Sequence, residues 1–172
     1  ISEKPFLSLA HSLKELEELI EIHLTFGSDI TDDTGFESFF ENLKDRKKLK
    51  FLYLDIGNTM KITDKSIFTL ADKIKTWSSL THFGLSFPCP NVTVEGFKAI
   101  CSALQDLQHL CFIILGFWQP DKDQDREIEV SLAKITQSRI CYFNLMKFKS
   151  PFLPWNFISS YKGRNFCLHL HL

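Results

Sequence analysis

Apolar residues recur along this chain in two alternating rhythms. The first is a short burst: "LIEIHLTF" from Leu19, "LKFLYLDI" from Leu49, "LTHFGLSF" from Leu80, "LCFIILGF" from Leu110, and a weaker "ICYFNLMK" from Ile140. These bursts start 30 or 31 residues apart. Their fourth and sixth positions are apolar in every copy: Ile22 and Leu24, Leu52 and Leu54, Phe83 and Leu85, Ile113 and Leu115. A period of two with one apolar side predicts half-buried strands.

Between the bursts the spacing changes to i, i+3, i+4, i+7, which is one face of a helix. The sets are Phe6, Leu9, Ala10, Leu13; Phe36, Phe39, Phe40, Leu43; Ile67, Leu70, Ala71, Ile74; and Phe97, Ile100, Cys101, Leu104. A degenerate fifth set is Ile128, Leu132, Ile135. The segments "ISEK", "ITDD", "ITDK" and "VTVE" open the first four helices. Each puts Ser or Thr where its oxygen can accept an orphan amide, mostly followed by an acid suited to the positive end of the helix dipole. From the last helix residue to the next burst is six residues in four units and five in the last. One strand and one helix cannot bury their apolar sides alone, whereas stacked copies make a continuous core.

The L-x-x-L-x-L strands and the I-T-D-x-G/S-[FI]-x-x-L/F helix starts resemble the leucine-rich repeat family, and within it the longer ribonuclease-inhibitor-like type. The resemblance runs from Ile1 to about Phe148 and implies an α/β solenoid with parallel strands on its concave face and helices on its convex face. The family's buried Asn after the strand is matched only loosely, by Asn91 and Asp29, while Phe26, Ile56, Phe87 and Phe117 are expected to fill the turns. A doubly wound α/β sheet also alternates strands and helices, but it lacks a common strand template and usually carries a Gly-rich phosphate loop, which this chain does not have.

Ile1 aligns with the start of a helix, so the repeats are expected to begin mid-unit, as a fragment of a longer solenoid would. They extend over residues 1–148. Residues 149–172 carry Pro151 and Pro154 and are expected to form an irregular capping unit, with "CLHLHL" as a sixth strand. The acidic stretch "QPDKDQDRE", residues 119–127, is the longest strand-to-helix insertion and a candidate contact loop.

Composition narrows the function classes. A net charge of −1 gives no electrostatic case for nucleic acid or an anionic membrane. No apolar run approaches the roughly 18 residues of a membrane span. The basic run "KDRKKLK", Lys44 to Lys50, reads as the solvated end of a helix. Five cysteines without a C-x-x-C pair suggest reduced, mostly buried thiols in an intracellular protein, and the sequon at Asn91 carries little weight against that. Cys111 and Cys141 share a position in adjacent copies and are expected to lie near one another. Cys167, His169 and His171 would share one side of a terminal strand, but they lack a fourth ligand and a usual zinc spacing. The pair Asp32 and Asp33 is explained by capping. No nucleophile elbow, phosphate loop, zincin or EF-hand pattern occurs, so no catalytic, cofactor or metal residue is assigned.

The informative surface is the concave one, where strand positions three, five and seven point. It is interrupted by Phe51, Tyr53, Phe112, Ile114, Tyr142 and Met146, which are expected to be exposed, with Asp55 and His82 beside them. A cluster of aromatics on an open sheet calls for a cover, and interface centres favour aromatics and Met. The expected function is a non-catalytic protein–protein interaction scaffold. Its contact would be a protein partner or other segments of the same full-length protein, not nucleic acid or membrane. The resemblance implies a cytoplasmic protein, cytoskeletal or ciliary among the options. It also admits a GTPase-activating repeat region, or the repeat arm of a protein with a separate catalytic domain. A nearly neutral aromatic face disfavours the former.

Overall fold

The computed structural model describes residues 4–26, 32–43, 46–57, 61–118, 125–136 and 140–146. Helices and strands alternate throughout. They run α1 (Lys4–Lys14), β1 (Glu21–Phe26), α2 (Asp33–Asn42), β2 (Phe51–Ile56), α3 (Asp64–Ile74), β3 (His82–Phe87), α4 (Val94–Gln105), β4 (Phe112–Trp118), α5 (Asp125–Thr136) and β5 (Ile140–Met146). The strands form one sheet in the order β1-β2-β3-β4-β5, and every neighbouring pair is parallel. Each helix packs against the next in chain order.

The two sequence rhythms become two halves of one core. Ile22, Leu24, Leu52, Leu54, Phe83, Leu85, Ile113 and Leu115 are buried from the sheet side. From the helix side, Phe36, Phe39, Phe40, Ile67, Leu70, Phe97, Ile100, Leu104, Ile128 and Ile135 join the same cluster. Phe39 lies edge-on to Phe40 at 5.0 Å and to Phe26 at 5.9 Å, so the phenylalanines lock strand to helix. Phe26, Ile56 and Phe87 are buried in the turns as the pattern predicts. Asn91 is exposed, so it is not the buried turn Asn of the repeat family.

A single backbone junction recurs at the start of β2, β3 and β4. Lys50 and Phe51 amides both donate to the Ile20 carbonyl, Thr81 and His82 amides to Lys50, and Cys111 and Phe112 amides to Thr81. This shared acceptor fixes each strand against the one before it and carries the register across the sheet. Side chains reinforce the same step. The Arg46 guanidinium is buried and donates to the Leu13 carbonyl in the last turn of α1 and the Leu16 carbonyl just beyond it, 2.5 and 2.8 Å. The basic run is therefore not wholly solvated: Lys47 and Lys48 are exposed, but Arg46 belongs to the fold.

The fifth strand departs from the sequence register. Phe112 pairs with Ile140 and Ile113 with Cys141, two residues away from the alignment that set Leu110 against Ile140. Cys141 is thus not opposite Cys111, and Cys111, just ahead of β4, is exposed. A shift of two leaves every residue on its expected side of the sheet, which is why alternation alone did not reveal it.

Candidate functional site

The strand positions on the side of β1 to β4 away from the helices fall into three rows, which backbone pairing extends to β5. Parallel pairing sets Glu21, Phe51, His82 and Phe112 in one line, with Ile140 beyond them. The second line is His23, Tyr53, Gly84, Ile114 and Tyr142, and the third is Thr25, Asp55, Ser86, Gly116 and Asn144. Met146 pairs with Trp118 beyond the third row. The side chains of Tyr142 and Met146 lie outside the described residues, as do most of the 119–127 segment, the Cys167, His169 and His171 group, and the whole of residues 149–172.

Aromatic rings at matching positions of a parallel sheet are held about 4.8 Å apart by strand spacing, close enough to stack. His82 sits between Phe51 at 4.5 Å and Phe112 at 5.5 Å, with interplanar angles of 32° and 35°. In the second row the His23 and Tyr53 rings meet at 4.4 Å. Tyr53 leans across Gly84, where an added Cβ would meet its ring at 2.4 Å, so the glycine leaves the space that ring occupies. Phe51, Tyr53, Phe112 and Ile114 were expected to be exposed. They are half-buried instead, Phe51 and Phe112 against His82 and Tyr53 against His23.

The polar groups of this face pair locally. Thr81 Oγ1 donates its one proton to the Lys50 carbonyl at 3.1 Å and lies 2.9 Å from His82 Nδ1. That leaves Nδ1 as the donor to Thr81 and makes Nε2 the acceptor of the neutral ring. Burial pushes the His82 imidazole below its ordinary pKa, against the opposing pull of the Glu21 charge, so the neutral ring is favoured. Glu21 Oε1 lies 2.8 Å from His23 Nε2. Asp55, half-exposed, stands two residues beyond Tyr53 on the same side of β2. Sequence reasoning had placed Phe51, Tyr53, Asp55, His82, Phe112 and Ile114 on one surface, and the structure brings them together. It had not seen the stacking, although the column Glu21, Phe51, His82, Phe112 was there to be read across the copies.

The helix-start rim is the other concentration of polar groups, and its logic is different. Asp32 caps α2 by accepting from the Gly35 amide at 3.0 Å, one residue later than a Ser/Thr opener implies. Thr63 and Thr93 cap α3 and α4. Asp33 does not serve its own helix. Its carboxylate accepts from the Thr63 amide (2.8 Å), the Thr63 hydroxyl (2.6 Å) and the buried Ser66 hydroxyl (2.5 Å) of the next unit. Asp64 repeats the step, accepting from the Thr93 amide and hydroxyl at 2.8 and 2.6 Å. Burial alone raises the Asp33 pKa, but the Ser66 and Thr63 hydrogen bonds, with Lys65 nearby, hold it below 3.8. These carboxylates are consumed in joining units.

No protein-family model matches the chain, and no curated protein matches it in sequence. Among solved structures the fold is similar to leiomodin-1 actin-binding site 2, with a TM-score of 0.58 and 20% sequence identity over 80% of this chain and 78% of that one. It is also similar to the tropomodulin C-terminal domain of Caenorhabditis elegans, with a TM-score of 0.54 and 15% identity over 81% of this chain and 84% of that one. Both are leucine-rich-repeat-like domains, and at these identities the likeness is one of fold. No helix among the described residues is long and apolar enough to cross a membrane.

Proposed function

We propose that this chain is a non-catalytic protein-binding module, a leucine-rich-repeat solenoid whose concave strand face contacts a protein partner. The contact set is Phe51, Tyr53, Asp55, His82, Phe112 and Ile114, continued onto β5 by Tyr142 and Met146. The observation that carries the reading is the Phe51–His82–Phe112 stack beside His23 and Tyr53. Rings held in register on a rigid sheet lose little conformational freedom on binding, so such a strip favours association more than scattered side chains of the same area. The two similar folds support a cytoskeletal setting, and the leiomodin-1 domain, an actin-binding site, makes actin the first purified protein to try.

The test is affinity capture with the full chain and with its Phe51→Ala, Tyr53→Ala, Phe112→Ala triple variant, run with purified actin and with a lysate of the source. A protein held by the unchanged chain and lost by the folded triple variant establishes the strip as the site. Equal capture by both would move the contact to the helix side and overturn the reading.

A further inference from the structure

The two edges of β1 differ. On one side it pairs with β2 along its whole length, and on the other it ends the sheet among the described residues. The Gly57 amide donates to the Phe26 carbonyl, so the backbone groups of Ile22, Leu24 and Phe26 face β2 and those of Glu21 and Thr25 face the open side. Among the described residues, the Ile20 and Glu21 amides have no shared carbonyl of the kind that serves Lys50 with Phe51, Thr81 with His82 and Cys111 with Phe112. Burial shows the same contrast. Leu16 is 51% exposed, whereas Arg46, Trp77 and Leu107, at its position in the next three units, are at most 4% exposed. Leu9, Leu13 and Leu19 are only partly buried, while their counterparts in those units are buried. The later units have a strand and a helix on this side, which β1 and α1 lack. Edge strands are commonly blunted by lysine, proline or a bulge, and β1 carries none of these.

We infer that the open side of β1 and α1 pairs with the same side of a second copy of this chain, across a two-fold axis perpendicular to the sheet. The two β1 strands then run antiparallel, with Glu21 of one copy opposite Thr25 of the other and position 23 opposite itself, and α1 packs beside α1. A two-fold covers this edge in both molecules at once, whereas head-to-tail stacking always leaves one bare. It also keeps the helices of both copies on one side of a continuous sheet. Charge fits the same arrangement. Glu15 and Glu17 are exposed just past the C-terminal end of α1, the negative end of its dipole, where acids are unfavourable. Antiparallel α1 helices put each acidic turn beside the first turn of the other helix, a positive end that holds Lys4 and no acid. The two acidic turns lie at opposite ends of the contact and do not meet. The inference is independent of the protein-binding reading, because it uses the edge of the sheet and not its open face.

The experiment is sedimentation velocity of the full chain over a range of concentrations, with Leu16→Lys and Thr25→Pro variants alongside. The expected result is a concentration-dependent dimer, which each variant weakens about tenfold by losing apolar burial or a donor to the other copy. Neither change removes a bond of the chain's own ladder, since Leu16 is exposed in a turn and the Thr25 amide faces away from β2. Circular dichroism checks that both variants fold. The register is read by oxidising a His23→Cys, Cys111→Ser chain, which should give a disulfide-joined dimer because position 23 meets itself about 5.5 Å away. A chain that stays monomeric at every concentration overturns the inference and leaves the edge to a segment of another kind. A dimer that both variants leave unchanged overturns it as well. So does growth beyond two copies, or a dimer that the position-23 cysteines fail to join.

Discussion

The helix-start rim and the open strand face both concentrate polar and aromatic side chains, but they use them in opposite ways. On the rim, Asp33 accepts three hydrogen bonds from the next unit, and Asp64 accepts two. Such groups have little capacity left for a ligand, and they hold adjacent helices at a fixed spacing. On the open face, the rings stack on one another and remain half-exposed, and Glu21, Asp55 and His82 are only partly buried. A carboxylate pair such as Asp32 and Asp33 reads in a sequence as possible chemistry. For Asp33 and Asp64 the structure supplies the donors, and they belong to the next unit.

The sharpest way to break that comparison is to mutate both sides of one strand. Phe83, fully buried beside half-buried His82, should cost about 3–5 kcal/mol when changed to Ala, as read by urea unfolding. His82→Ala should cost much less and act mainly on binding.

Next is Asp33→Ala, which strands the buried Ser66 hydroxyl and the Thr63 amide and should cost about 2–3 kcal/mol. The sign with pH is fixed: the folded value lies below the unfolded 3.8, so this contribution is present above that pH and is lost as pH falls through the folded value. Asp33→Asn should therefore flatten the acid limb of stability against pH.

A smaller effect comes from two helix glycines whose surroundings differ. At Gly96 an added Cβ would meet Asp64 Oδ1 at 2.4 Å, whereas at Gly35 the nearest atom, Asp32 Oδ1, is at 3.7 Å. Helix propensity alone favours Ala over Gly by about 1 kcal/mol. Gly35→Ala should stabilise by up to that amount, while Gly96→Ala should destabilise by about 1 kcal/mol through the displaced Asp64–Thr93 contact. The smallest expected change in stability is that of Phe51→Leu, under about 1 kcal/mol, because the leucine keeps most of the half-buried area. A large loss of stability there would mean that the strip serves the core instead of a partner.

Much of the molecule was legible beforehand because the units repeat. Leu52, Leu54, Phe83 and Leu85 announce strands by alternation, and Phe36, Phe39 and Phe40 announce a helix by a spacing that only one face can satisfy. The shared distance between these halves made the order of the sheet readable too. Other features were hidden for specific reasons. The β5 register, set by Phe112 against Ile140, was missed because a two-residue slip preserves alternation. Asp33 was assigned to its own helix because local capping is the nearest explanation, although its recurrence as Asp64, each followed by a capping Thr one unit on, was a usable signal. Arg46 was grouped with solvated lysines because charge alone does not reveal that the Leu13 and Leu16 carbonyls are waiting for it.

By itself the sequence determined which residues face inward, since local periodicity and the cost of exposing apolar surface act within each unit. It also determined which side chains lie on the open face. Tertiary structure alone decided which of them touch: that His82 lies between Phe51 and Phe112, that Tyr53 occupies the space above Gly84, and that Asp33 belongs to Thr63 and Ser66. These are contacts between residues about one unit apart in the chain, and their distances follow from how strands and helices stack, which no local pattern encodes.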